Sequence, residues 1–124
     1  LTGGDATSIV SQAKITREQV RAKNKESLQE IIDNKQLTGE QKKKAVNEMV
    51  ELTKIAEKEA AAETMLSAKG FTDSVVSLSE ESADVVVNAK ELSEANRAQI
   101  EDIVIRKTGM AAENIVITPA GSKK

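Results

Sequence analysis

Carboxylates are the only abundant side chains in this sequence that could do chemistry, and they fall into three close groupings: Glu80 with Glu81, Glu101 with Asp102, and Glu59 with Glu63. A carboxylate pair acts as acid and base when one member sits in an apolar pocket that raises its pKa while the other stays ionised. The surrounding sequence places these pairs in turns or on polar helix faces, so no catalytic pair is expected. Glu59, Glu63 and Asp84 would meet a divalent cation only if the fold happened to gather them, and no calcium-loop spacing is present. Histidine and cysteine are absent from the 124 residues, which removes imidazole bases, thiol nucleophiles, haem ligands and the usual zinc sites. Phe71 is the one aromatic residue, so bases and sugars have no stacking platform. These absences point to a binding or structural part without cofactor or metal, rather than an enzyme.

Charge offers little more for phosphate recognition. The whole chain carries 18 basic and 20 acidic groups, for a net charge of −2, with residues 1–58 slightly basic and residues 59–124 slightly acidic. Neither half provides the strongly basic face that nucleic acids require. The basic run Lys42, Lys43, Lys44 reads as a solvated helix face, with a partner contact as the alternative. No apolar run is long enough to span a membrane. Leu1 stands where an initiating methionine would, so a fragment or processed product is expected, with any anchor or signal upstream.

The elements that must position these residues follow from period and punctuation. Residues 1–15 are polar and glycine-containing and read as a flexible leader. Thr16 with Gln19 reads as a capping box, and Ile15 with Val20 as a hydrophobic staple, opening a helix over 17–35 with Leu28, Ile31 and Ile32 on one face. After a short break, Thr38 and Gln41 repeat the capping signal. A second helix over 39–69 follows, with apolar residues at helical spacing and a stop at Gly70, where Phe71 should fold back onto Leu66. That helix is too long for a small core to cover, so its first half should overhang and pack on the first helix, or it should bend near 60–62. A coiled-coil seam from Ala45 stops at Glu59, too short to stand alone.

The pattern then changes to period two. Val76 and Leu78, then Val85 and Val87, alternate with polar positions around Glu80–Glu81–Ser82 and read as an antiparallel hairpin. A third helix is capped by Ser93 and stopped by Gly109, with Ile100, Ile103 and Val104 inward. Ile115 to Ile117 make a third strand, ended by Pro119. The order helix-strand-strand-helix-strand, with a right-handed crossover between parallel second and third strands, gives an α+β two-layer sandwich preceded by an N-terminal helix. The expected core is Val46, Met49, Val50, Ile55, Leu66, Phe71, Val76, Leu78, Val85, Val87, Ile100, Ile103, Val104, Ile115 and Ile117. The units are a leader over 1–15, a helical arm over 16–37, the sandwich over 38–119 and a tail over 120–124.

The same element order occurs in small KH-like RNA-binding modules, the rival reading. Their glycine-x-x-glycine clamp is missing, since Gly70-Phe71-Thr72-Asp73 and Gly109-Met110-Ala111-Ala112 each keep only the first glycine.

The residues between 17 and 117 resemble the extracytoplasmic domain of the stage III sporulation protein AH family of endospore-forming bacilli. The matching text is Arg17-Glu18-Gln19-Val20-Arg21, Ala45-Val46-Asn47-Glu48-Met49, Lys58-Glu59-Ala60-Ala61-Ala62-Glu63 and Lys107-Thr108-Gly109. The resemblance implies the ring-building motif, a fold shared with ring proteins of type III secretion systems and flagellar basal bodies. It further implies an N-terminal membrane anchor and a place between the two membranes around the forespore. The partner it implies is stage II sporulation protein Q, in a channel and engulfment complex with possible rings. It transfers no catalytic residues.

The sequence suggests where such a partner would dock. Strand 1 is a candidate sheet edge whose alternation leaves Val75, Ser77 and Ser79 away from the core. Its unpaired backbone could accept a partner strand, with Glu80, Glu81 and Asp84 steering a basic surface. Lys42, Lys43 and Lys44 are the second candidate surface.

Overall fold

A computed structural model describes the backbone of residues 2–121 and the side chains of residues 8–121. Its elements are α1 (Thr2–Asp33), α2 (Gly39–Ala68), β1 (Val75–Leu78), β2 (Ala83–Val87), α3 (Glu94–Thr108), a 3₁₀ turn (Ala112–Asn114) and β3 (Ile115–Pro119). The end signals of α2 and α3 act as their residue types require. Thr38 and Gln41 close a full capping box, with Gln41 N donating to Thr38 Oγ1 at 3.2 Å and Thr38 N donating to Gln41 Oε1 at 3.0 Å. Gly70 takes φ 100°, and Phe71 N reaches back to Leu66 O at 2.8 Å, which satisfies one of the last helical carbonyls. Ser93 caps α3 through Asn96 N, and Gly109 ends it at φ 80°.

The sheet order is β1-β2-β3, with β1 and β2 antiparallel and β2 and β3 parallel. Helices α2 and α3 cover one face, where Ala62 and Leu66 meet Val76, Val85, Val87, Ile100, Ile103 and Val104 in the main core. This is the α+β sandwich expected, with β1 at an edge.

Helix α1 differs from expectation. It starts at Thr2, so the helix runs through most of the expected leader and Thr16 is interior. Thr16 Oγ1 accepts from Gln12 Nε2 at 3.2 Å instead of capping Gln19. The physical reason is a second, smaller core on the outer sheet face, where Val10 and Ala13 pack with Val75, Val86 and Ala120. That packing outweighs a local capping preference, as tertiary burial usually does for helices. Val75 therefore faces away from the main core, as its alternation expects, but is buried there under α1 instead of open to solvent. The start of the expected tail is also part of the fold: Ala120 N bonds Val87 O, and Gly121 N bonds Ala89 O. The rest of the tail lies outside the described residues.

Two expected core residues are misplaced. Val46 and Val50 are 43% and 47% exposed. In its first half α2 packs against α1 through the side carrying the buried Ala45 and half-buried Leu52 and Ile55, and the two valines project from another side. Met49, Ile55, Phe71, Leu78, Ile115 and Ile117 are half-buried.

Candidate functional site

The sheet edge at β1 is where sequence and structure differ most for function. In the register Val75↔Val86 and Ser77↔Asp84, Val75 and Ser77 turn their backbone groups toward β2. Val76 and Leu78 turn theirs outward, to the edge where a partner strand would add. Three of those four groups are already taken. Val76 N donates to Glu63 Oε2 and Leu78 N to Glu59 Oε2, both at 2.8 Å. Val76 O accepts from Arg17 Nη1, also at 2.8 Å.

The occupants come from two helices at one spacing. Glu59 and Glu63 lie one turn apart on α2, and Arg17 and Arg21 one turn apart on α1, so each pair shares a helix face. Arg21 donates to both oxygens of Glu59, from Nη1 to Oε1 at 2.8 Å and from Nη2 to Oε2 at 3.0 Å. Arg17 reaches Glu63 at 2.8 Å, Glu59 at 3.5 Å and Glu18 at 3.0 Å. Glu59 is only 2% exposed. Burial alone would lower the Arg17 pKa, but the hydrogen bond and charge of Glu63, with Glu59 and Glu18, outweigh it and hold the pKa above the ordinary arginine value. Among the described residues no buried side-chain nitrogen or oxygen lacks a partner.

This arrangement corrects two readings, the polar helix face and the unpaired β1 edge. Glu59 and Glu63 do not lie on a polar helix face; they are drawn into a partly buried network. They are not part of a cation site, because two guanidinium groups cover them, and Asp84 is exposed on the outer face of the sheet. No group of three Asp, Glu, His or Cys among the described residues could hold a metal. The β1 edge is not the row of unpaired backbone groups expected, since the clasp of α1 and α2 side chains occupies it. The β3 edge is also blunted. Ile115 N bonds Ala112 O within the 3₁₀ turn, Ile117 O accepts from Arg97 Nη1 at 3.3 Å, and Pro119 has no N–H to offer.

The remaining candidates separate into three places. Ser79, Glu80 and Glu81 are exposed in the hairpin turn, which Ser79 and Ser82 tie through Ser79 N to Ser82 O at 2.9 Å and Ser82 N to Ser79 Oγ at 3.1 Å. Ser77 and Asp84 lie on the outer sheet face in register with Val116, which is 53% exposed. The row Ser77–Asp84–Val116 is thus a polar-apolar strip that α1 does not bury. Lys42 is half-buried, while Lys43 and Lys44 are exposed in the first turns of α2. The network of Arg17, Arg21, Glu59 and Glu63 is absent from the sequence reading. Its signal is present all the same: like charges one helical turn apart repel, so two such pairs of opposite sign invite a match.

Comparison with known proteins addresses the fold and the family. The model of the SpoIIIAH-like protein family matches residues 2–117. Stage III sporulation protein AH of Bacillus subtilis (strain 168) is 23% identical over 94 residues, covering 76% of this chain and 43% of that protein. The chain therefore spans less than half the length of that relative. A chain in the solved structure of the SpoIIQ-SpoIIIAH pore forming complex has the same fold, with a TM-score of 0.79 at 21% identity, covering 90% of this chain and 96% of that one. With a family match over nearly its whole length, the chain belongs to the SpoIIIAH-like protein family.

Proposed function

We propose that this chain is a non-enzymatic structural subunit of a mother cell–forespore channel and engulfment complex. In this reading it is anchored in the mother-cell membrane by a segment upstream of Leu1, lies between the two membranes around the forespore, binds a SpoIIQ partner and assembles with further copies into a ring. The observation that carries it is the match of residues 2–117 to the family, joined to a fold shared with a chain solved in a complex with SpoIIQ. The chain's own physics supports the reading. Its partly buried charges, Arg17, Arg21, Glu59 and Glu63, tie α1 and α2 to β1, which suits a part that must present a surface.

The partner surface in this proposal is the open strip of the outer sheet face with the hairpin turn: Ser77, Ser79, Glu80, Glu81 and Asp84, joined by Val116. Side-chain contacts replace strand addition, because the β1 edge is clasped. Three exposed carboxylates beside an exposed valine suit a basic surface with an apolar centre. Calorimetric titration with the extracytoplasmic domain of SpoIIQ tests this. The expected result is saturable binding, weakened by Glu81→Lys with Asp84→Lys while the melting temperature stays put. Absence of binding by the unmodified chain, or salt-sensitive RNA binding in a gel shift, overturns the proposal.

A further inference from the structure

We infer that a groove at the hairpin end of the domain receives the first half of α2 from a second copy of this chain, in a head-to-tail contact. The inference rests on reading the chain as an assembly subunit and assigns the faces through which copies meet. The groove runs between the second half of α1, the middle of α2 and the hairpin turn, as a cavity of about 580 Å3. It continues past the turn toward Met110 as a second cavity of about 430 Å3, with Lys58 at that end. Its floor is apolar, from the half-buried Leu28, Leu52, Ile55 and Leu78. Its rim is acidic, from the exposed Glu48, Glu51 and Glu80. Whereas Glu59 and Glu63 are matched by arginines, none of these three makes an ion pair within 4.0 Å among the described residues.

The complement stands on another side of the same helix. Val46 and Val50, each nearly half exposed, share a helical face with the exposed Lys43 and Lys54. From Lys43 to Lys54 this stripe is about 16 Å long at 1.5 Å per residue. It presents two apolar anchors with a cation at each end, and neither lysine has an ion-pair partner within 4.0 Å. An apolar stripe ended by cations fits an apolar floor rimmed by carboxylates.

Charge also decides which contact forms. Stripe against stripe would set lysines against lysines, and groove against groove carboxylates against carboxylates. Both two-fold arrangements are disfavoured, and only stripe into groove pairs opposite signs. Such a contact uses a different face on each copy, so it propagates and gives a ring where the rotation closes. Two half-buried valines make each contact weak. Holding many copies on one membrane raises their effective concentration and makes weak repeated contacts sufficient.

The chain has no cysteine, so introduced thiols report on neighbours without background. Ser27→Cys places one on the groove wall, and Asn47→Cys places one beside the stripe; both positions are exposed. When the two variants are mixed at high concentration under oxidation, the mixed disulfide should form well ahead of either homodimer and slow with added salt. Glu51→Lys in the Ser27→Cys chain should slow it by about tenfold, the scale of a close charge reversal at an interface. Lys54→Glu in the Asn47→Cys chain should restore it. Homodimers forming as fast as the mixed species, no mixed species at all, or a rate indifferent to Glu51→Lys overturns the inference. Titration of the same variants with the SpoIIQ domain keeps the two claims apart. Retained affinity with lost cross-linking confines the effect to this groove, and no affinity in the unmodified chain overturns the functional reading while the cross-linking still decides the groove.

Discussion

Removing the Glu59 carboxylate takes both hydrogen-bond acceptors from the Arg21 guanidinium and the acceptor of Leu78 N together, and one of three nearby carboxylates from Arg17. Breaking a buried pair from one side costs about 3–5 kcal/mol, far more than the pair contributes when intact. Glu59→Ala should therefore lose about that much in denaturant unfolding, while Glu81→Ala, in the exposed turn, should stay within about 0.5 kcal/mol of the parent. Equal effects of the two changes would show that the network is not closed. Replacing a buried ion network wholesale by apolar residues is often harmless elsewhere. Here it should not be, because Glu63 and Glu59 also accept from Val76 N and Leu78 N, and apolar side chains would leave both amides bare. A variant with leucine or methionine at positions 17, 21, 59 and 63 should unfold at lower denaturant than the parent. The Arg17 pKa lies above its ordinary value, so the fold favours the charged form of this residue.

At the scale of elements, α1 acts as a clasp on the sheet edge, and its two arginines carry that role. Arg17→Ala with Arg21→Ala should speed hydrogen exchange at Val76 and Leu78 while leaving the β2–β3 amides as slow as before. By baring a short edge strand, it should also introduce concentration-dependent self-association. Exchange that rises uniformly across the sheet would mean global loss of stability instead. The helix ends bear smaller loads: Thr38→Ala should cost about 1 kcal/mol through the lost capping box, and Gly70→Ala a similar amount, because an L residue is strained at a positive φ. These ends, the hairpin and the parallel crossover were legible in the sequence because each is a local signal of fixed spacing. Helix α1 extends beyond its sequence signals because its first half has no local reason to be helical. Val10 and Ala13 gain their partners from Val75, Val86 and Ala120, far along the chain, and Thr16 advertises a cap that this packing overrides. Val46 and Val50 depart from the expected core for the converse reason: helical spacing marks an apolar stripe without saying which side of α2 the neighbouring helix takes. The clasp escaped notice because its four charges are spread over 46 positions and only the fold brings them within hydrogen-bond reach.

For the whole molecule, both edges of the sheet are managed. β1 is clasped, and β3 is blunted by a 3₁₀ turn, an arginine and a proline, leaving the Ile117 N–H as its one outward ladder donor. Surfaces open to a partner are therefore faces. The outer sheet face is only half covered by α1, and its uncovered strip meets the acidic hairpin turn. The strip proposed for the partner on the sheet face and the stripe proposed for a further copy on α2 both lie outside the main core. Hydrogen exchange of the chain alone and saturated with the SpoIIQ extracytoplasmic domain tests the central claim most directly, because it reads which backbone amides the partner shields. Protection is expected over the hairpin turn and the outer-face residues Ser77, Asp84 and Val116, with the Val76 and Leu78 amides unchanged. Protection confined to Ile117 and its neighbours on the β3 edge, or new protection at Val76 and Leu78 with release of α1, would contradict docking on the open face.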